Sequence, residues 1–217
     1  MWEAASGREV ARLTHDGDVS AVAFSPDGRY VVSGGCDKRD GSTCIEGTAR
    51  VWEADTGREV ARMTHDDWVS AVAFSPDGRY VVSGSEDNTA RVWEATSGRE
   101  VARLTHGDRV SAVAFSPDGQ YVVSGSRDAT VRVWEVISGR EVARLTHNGS
   151  VFDVAFSLDG QYVVNAGASK MARVWWWRPE DLIAEACRRL PRNLTREEWR
   201  QYVGPEAPYH ATCPGKP

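Results

Sequence analysis

Four short segments follow one another between Arg99 and Trp134, each with its own balance of apolar and charged positions. Arg99-Glu100-Val101-Ala102-Arg103-Leu104-Thr105 carries several charges, as an outermost strand does when it must discourage pairing with foreign edges. Val110-Ser111-Ala112-Val113-Ala114-Phe115 is apolar and rich in small residues, which suits an innermost strand near a crowded axis. Ser116-Pro117-Asp118-Gly119 has Pro at the second turn position and Gly at the fourth, the type I preference. Gln120-Tyr121-Val122-Val123-Ser124-Gly125, rich in β-branched and aromatic residues, reads as the next strand. A loop at Ser126-Arg127-Asp128-Ala129 leads to a third strand, Thr130-Val131-Arg132-Val133-Trp134.

This pattern repeats. The closing Trp recurs at Trp52, Trp93, Trp134 and Trp175, a spacing of 41 residues, and Trp2 stands 50 residues before Trp52 because of one nine-residue insertion. A His keeps the register at His15, His65, His106 and His147, and so does the turn at Ser25-Pro26-Asp27-Gly28, Ser75-Pro76-Asp77-Gly78 and Ser116-Pro117-Asp118-Gly119. The fourth turn, Ser157-Leu158-Asp159-Gly160, has lost its proline. A period of about 40 to 45 residues with strand content predicts a four-stranded propeller blade. Residues that recur in register build blades; they do not converge on one active site.

The units resemble WD40 repeats over residues 1 to 177, about four-fifths of the chain. Thr-His stands for the family's Gly-His, and Trp-Glu stands for Trp-Asp at Trp52-Glu53, Trp93-Glu94 and Trp134-Glu135; His and Trp themselves are kept. The resemblance implies a buried hydrogen-bond chain of His, Ser, Asp and Trp in each blade. The matching positions are His15, Ser33, Asp37 and Trp52; His65, Ser83, Asp87 and Trp93; and His106, Ser124, Asp128 and Trp134. Trp offers one indole donor, Ser both accepts and donates, and His passes the chain to the carboxylate. A catalytic triad of the same residue types is set aside because the trio repeats beside a Trp. The fourth unit has Asn165 and Ser169 in the Ser and Asp places, so its network is expected to be incomplete, as is normal for a terminal repeat.

Loops, unlike strands, differ between units. After the His they read Asp16-Gly17-Asp18, Asp66-Asp67-Trp68, Gly107-Asp108-Arg109 and Asn148-Gly149-Ser150; before the network Asp position stand Cys36, Glu86, Arg127 and Ala168. In the family both sets lie on one face of the disc, the usual partner face. Trp68 and Arg109 are residue types enriched in binding hot spots. Candidate partner-binding residues are therefore Trp68, Arg109, Glu86, Arg127 and Asp18, with a Trp68 folded against its own loop as the alternative. The insertion, within Cys36 to Gly47, is expected to be a loop extension with free thiols, a Cys36–Cys44 bridge being the alternative. Two Cys with seven residues between them and no nearby His do not have a zinc spacing, and the acids lack the alternation of a calcium loop. No metal and no cofactor are expected.

A net charge of -5 argues against a nucleic-acid or anionic-membrane surface. No apolar run approaches the roughly 20 residues of a membrane span. The N-terminus, Met1-Trp2-Glu3-Ala4, lacks the features of a signal peptide. Four Cys out of step with the repeat point to a reducing compartment, so a cytoplasmic location is expected.

Residues 178–217 have a different composition. Pro179-Glu180-Asp181 opens a helix, Leu182, Ile183, Ala186 and Leu190 recur at helical spacing, and Thr195 with Glu198 makes a capping-box signature before Trp199 and Tyr202. Glu206 to Pro217 is expected to be extended. The run from Asp181-Leu182-Ile183 through Arg192-Asn193-Leu194-Thr195-Arg196-Glu197-Glu198-Trp199 to Thr212-Cys213-Pro214 resembles the tail that closes many bacterial WD40 proteins, in which the propeller is often the sensor of a signalling ATPase. No Gly-Lys-Ser/Thr phosphate element exists in this chain, so the activity does not carry over.

The expectation is an all-β, WD40-type β-propeller arc of four blades with a short C-terminal helical appendix. It would be non-catalytic, a sensor or scaffold in bacterial signalling that binds protein or peptide and no nucleic acid or membrane. The alternative is a self-assembling unit or a fragment of a larger protein. Met1-Trp2-Glu3 stands where Val51-Trp52-Glu53 would be, so the first outer strand, Gly7 to Thr14, is expected to pair around Ala172-Arg173-Val174-Trp175 of the same chain or of another. A homodimer of two such arcs would make one eight-bladed ring, within the usual range of blade numbers.

Overall fold

The computed structural model describes residues 5–189, 192, 193, 195–198 and 213. Among these residues fifteen strands fall into four antiparallel sheets. Blade 1 comprises β1 (Asp18–Phe24), β2 (Tyr30–Asp40), β3 (Thr43–Glu53) and β4 (Glu59–His65). Blade 2 comprises β5 (Val69–Phe74), β6 (Tyr80–Ser85), β7 (Thr89–Glu94) and β8 (Glu100–Thr105). Blade 3 comprises β9 (Val110–Phe115), β10 (Tyr121–Ser126), β11 (Thr130–Glu135) and β12 (Glu141–Thr146). Blade 4 has three strands, β13 (Val151–Phe156), β14 (Tyr162–Gly167) and β15 (Ala172–Trp176).

Each meander is wound by the same local chemistry. At the β9–β10 turn Gly119 N–H donates to Ser116 O at 2.9 Å, while Ser116 Oγ donates to Asp118 at 2.5 Å and accepts from Tyr121 N at 3.0 Å. Gly119 has φ +71°, a left-handed conformation that favours glycine. The fourth turn makes the same bonds without its proline, from Ser157, Asp159 and Tyr162.

Blades stack face to face. One face of blade 1 (Val32, Ala49, Ala61, Met63) packs on Val69, Val81 and Trp93 of blade 2, and blade 2 presents Val82, Ala90, Ala102 and Leu104 to Val110, Val122 and Trp134 of blade 3. These are the same positions advanced by one repeat. The axis-side glycines allow the close approach: a Cβ on Gly34, Gly84 or Gly125 would lie 2.7, 2.9 or 2.6 Å from a valine Cγ1 of the next blade, closer than a methyl can sit.

Four expectations need correction. The insertion is not a loop: β2 and β3 continue, with register shifts at Lys38, as a hairpin to the turn at Gly41, pairing Arg39 with Cys44 and Asp40 with Thr43. Cys36 and Cys44 are not free thiols; facing strands hold their Cα atoms 5.9 Å apart, within disulfide range, and they are bonded. Cys187 and Cys213 form a second disulfide, so the reducing-compartment argument loses its premise. Finally, Gly7–Thr14 is not a strand and has a single bridge residue, Glu9. Its counterparts β4, β8 and β12 become strands by pairing with β3, β7 and β11. Met1-Trp2-Glu3, the residues in the corresponding place, lie outside the described residues.

The chain divides into compact units at Trp175/Trp176, a little before the composition change at Arg178. In the second unit α1 (Pro179–Arg189) is ended by basic residues, with Glu185 bridging Arg188 at 2.8 Å and Arg189 at 2.6 Å. Thr195 and Glu198 exchange the two bonds of a capping box, Thr195 N to Glu198 at 2.8 Å and Glu198 N to Thr195 Oγ at 3.2 Å. Asn193 holds Cys213 through both backbone groups. The side chains of Leu182, Ile183 and Ala186, and Leu190, Trp199, Tyr202 and most of 206–217, lie outside the described residues.

Candidate functional site

The site is built on a rigid floor. In blade 2 the Trp93 indole donates to Ser83 Oγ at 2.8 Å, Ser83 lies 2.7 Å from His65 Nε2, and His65 Nδ1 lies 2.8 Å from Asp87. Blade 3 repeats this with Trp134, Ser124, His106 and Asp128 at 2.8, 2.7 and 3.1 Å. Blade 1 repeats it with Trp52, Ser33, His15 and Asp37 at 2.7, 2.6 and 2.9 Å. A single proton arrangement satisfies every link: Trp donates to Ser, Ser to His Nε2, and His Nδ1–H to the carboxylate.

Two members of this network were missed at the sequence level. Thr89 Oγ donates to Asp87 at 2.6 Å and Arg91 pairs with the same carboxylate at 2.8 Å. Thr130 and Arg132 do the same for Asp128, and Thr48 and Arg50 for Asp37. The signal was available: Thr-x-Arg-Val-Trp recurs in register at 48–52, 89–93 and 130–134. Burial pushes the Asp87 and Asp128 carboxyls up, yet donors from His, Thr and backbone outweigh it and hold both well below the usual carboxylate range. Burial lowers the His65 pKa and takes His106 down to about 4, against the opposing pull of their carboxylates, so both rings are neutral at pH 7. Ser83 and Ser124 are buried and committed to Trp and His, which leaves no hydroxyl for a substrate.

The aspartates also anchor the variable loops. Asp87 accepts from Asp66 N at 3.2 Å and Asp128 from Gly107 N at 2.9 Å, while Ser85 and Ser126 donate to Asp67 O and Asp108 O. On that floor the five candidate residues form one run. Glu86 N–H donates to Trp68 O and Arg127 N–H to Arg109 O, each at 2.9 Å, and Arg109 crosses between blades to Glu86 at 2.7 Å. Asp18 binds Arg39, whose guanidinium lies 4.8 Å from the Trp68 ring centroid. Asp18, Arg109 and Arg127 are exposed; Trp68 and Glu86 are half-buried. The Arg39 side chain of the extended blade 1 hairpin thus lies over the Trp68 ring. Arg39 was absent from the candidates because its reach depends on the hairpin that carries it.

In blade 4 Trp175 donates to Asn165 Oδ1 at 2.6 Å, and Asn165 Nδ2 is buried with no partner. His147 contacts Ser169 at 3.1 Å and Gly149 O at 3.2 Å. Among the described residues no cluster of three or more His, Cys, Asp or Glu could hold a metal, and no helix is long and apolar enough to cross a membrane.

Comparison with known proteins gives a consistent picture. A 42-residue stretch is 60% identical to "Centriole proteome protein 16" of Chlamydomonas reinhardtii; the match covers 19% of this chain and only 2% of that relative's length. Among solved structures, the computationally designed Ika4 protein superposes with a TM-score of 0.67 at 32% identity, over 78% of this chain and 98% of Ika4. The computationally designed Ika8 protein gives 0.69 at 31% identity, over 81% of this chain and 51% of Ika8. The family described as WD domain, G-beta repeat matches residues 7–53, 57–94, 98–135 and 139–175, and with four blades built on its repeat the chain belongs to the WD40 family.

Proposed function

We propose that this chain binds a protein or peptide through the loop surface running from Asp18 and Arg39 over Trp68 to Glu86, Arg109 and Arg127. WD40 repeat domains are typically non-catalytic protein-interaction modules. The observation that supports this surface is the Arg109–Glu86 bridge between blades, beside a half-buried Trp roofed by Arg39. Individualised side chains are mounted there on loops that buried aspartates hold rigid, which lowers the ordering cost of binding. The narrower setting, a sensor or scaffold of bacterial signalling in the cytoplasm, rests on the tail sequence between Asp181 and Pro214 alone.

The test is selection of a displayed random-peptide library on the immobilised chain, followed by affinities for W68A and R109A. Each change is expected to weaken binding by about 2 kcal/mol or more at an unchanged melting temperature. Wild-type affinity in both variants overturns the reading.

A second reading, self-association, is favoured by the two ends of the arc. Val19, Val22 and Phe24 of blade 1 and Val164 and Val174 of blade 4 are exposed, although between blades the counterparts of Val19, Val164 and Val174 are buried and those of Val22 and Phe24 are at least half-buried. Apolar blade faces and open strand edges are association surfaces. The match to 51% of Ika8 supports an arc of this kind fitting within a longer chain of similar fold.

A further inference from the structure

The insertion falls at one defined point of the blade. Blades 2 and 3 read Ser85-Glu86-Asp87-Asn88-Thr89 and Ser126-Arg127-Asp128-Ala129-Thr130. Blade 1 reads Gly35-Cys36-Asp37, then residues 38–46, then Gly47-Thr48. The extra hairpin therefore grows directly from the network carboxylate Asp37.

That placement removes what fixes the carboxylate in the other blades. Asp87 Oδ1 accepts from Thr89 N at 2.9 Å, and Ser85 Oγ accepts from Asp87 N at 3.1 Å. Asp128 has the same two bonds at 2.9 and 3.0 Å. Each of these turns contains a left-handed residue, Asn88 at φ 67° and Ala129 at φ 63°. In blade 1 a glycine takes the place of Ser85, Thr48 stands eleven residues from Asp37 instead of two, and the left-handed position has moved out to Gly41. Asp37 keeps its side-chain partners His15, Thr48 and Arg50, but among the described residues no backbone N–H donates to it.

The Cys36–Cys44 disulfide replaces those turn bonds. It closes residues 36–44 into a covalent loop that contains both Asp37 and Arg39. One bond thus restrains the centre of the blade 1 network and the guanidinium 4.8 Å from the Trp68 ring centroid. Little else holds the hairpin. Of residues 38–46 only Cys44 is buried, and the strand register slips at Lys38. The Arg39–Asp18 pair joins side chains that are 39% and 65% exposed, a contact that contributes little. A two-stranded hairpin without an apolar face is marginal in water. The loop of Trp68, by contrast, is tied to its own blade by Ser85 to Asp67 O, Asp66 N to Asp87, and Glu86 N to Trp68 O. Opening the disulfide frees the hairpin and leaves the Trp68 loop in place.

We propose that Cys36–Cys44 is a redox clamp on the binding surface: oxidised, it holds Arg39 over Trp68 in the arrangement a partner meets, and reduced, it releases the hairpin and weakens binding. The reductant is a dithiol. Its thiolate attacks the sulfur of Cys44, 8% exposed against 0% for Cys36, so that Cys36 leaves as a thiolate and takes up a proton. The second thiol of the reductant then closes the reductant's own disulfide and releases Cys44. Two electrons and two protons have passed to the protein, which ends with two thiols. The inference rests on the proposed binding surface and adds the control of it.

Two measurements on the 217-residue chain test it. The first needs no partner. Dithiothreitol is expected to open Cys36–Cys44, read as alkylated mass, and to speed hydrogen exchange in residues 38–46 by about tenfold or more while residues 85–89 stay protected. A disulfide that stays closed, or an opened one with unchanged exchange, overturns the clamp. The second is the affinity of a peptide selected on the oxidised chain. Reduction is expected to weaken it about tenfold, R39A in the oxidised chain to reproduce that loss, and C36S/C44S to bind weakly with or without dithiothreitol. A loosened hairpin with unchanged affinity overturns the control of binding, and R39A at wild-type affinity overturns the part played by Arg39. A dithiothreitol effect that persists in C36S/C44S assigns the response to Cys187–Cys213 and overturns the proposal. A peptide indifferent to W68A and R109A overturns the binding surface itself, while the exchange measurement still decides the clamp.

Discussion

Blades 2 and 4 share turn chemistry, a closing Trp and three inner strands of nearly equal length, and they differ at the centre. In blade 2, Asp87 gathers His65, Thr89, Arg91 and the backbone of Asp66 around one carboxylate. In blade 4 the places of Ser83, Asp87 and Thr89 are taken by Asn165, Ser169 and Met171. His147 settles on Gly149 O, Arg173 donates to Thr146 O at 3.5 Å and reaches no carboxylate among the described residues, and Asn165 Nδ2 has no partner. The three inner strands nevertheless form. The network is therefore not what makes the strands; backbone pairing and the alternation of Val with polar positions suffice for that. What the carboxylate adds is a tie from the strand ends to the loop that carries Trp68.

That separation predicts unequal responses to the same kind of damage. Asp87→Ala takes the acceptor from His65 Nδ1–H and the buried carboxylate from Arg91, which keeps Thr64 O and Asp66, and is expected to cost about 1–3 kcal/mol in urea unfolding. Ser169→Ala, at the equivalent place in blade 4, is expected to cost below about 1 kcal/mol. Equal losses would mean that blade 4 depends on its centre as strongly as blade 2.

Acid should act on the complete blades. The His106 pKa is lowered to about 4 by burial, against about 6.5 in an unfolded chain. Below about pH 6.5 the unfolded chain takes up a proton that the folded ring refuses, so the stability this group contributes, full at neutral pH, is lost as pH falls toward 4. Asp87 and Asp128, held low, add stability above the ordinary carboxylate pKa that is lost only on further acidification. Hydrogen exchange followed from pH 7 to pH 4 should show blades 2 and 3 loosening across that window. A variant His106→Gln should flatten the loss in blade 3; an unchanged profile would assign the titration elsewhere.

The smallest effect is a gain. Asn165→Ser removes the orphaned amide and restores the hydroxyl that Trp134 finds in Ser124, so thermal unfolding should show a stabilisation of about 1 kcal/mol. A loss would show that Asn165 fills space that a serine leaves empty.

The repeat of Trp, His and Ser-Pro-Asp-Gly was enough to determine four blades, their turns and the His-Ser-Asp-Trp positions, because each is a local pattern copied along the chain. Thr89 and Arg91 were equally legible in the repeat and were passed over. Other features arise only when distant residues meet. The pairing of Cys36 with Cys44 depends on strand register, which a one-residue slip would reverse. The roof of Arg39 over Trp68 and the bridge from Arg109 to Glu86 depend on how adjacent blades are spaced. The exposed Val19 and Val174 carry the same letters as their buried counterparts, and only the order of stacking separates an end of the arc from its interior. Sequence determines what each blade can bury; tertiary structure decides which blade has a neighbour to bury it against.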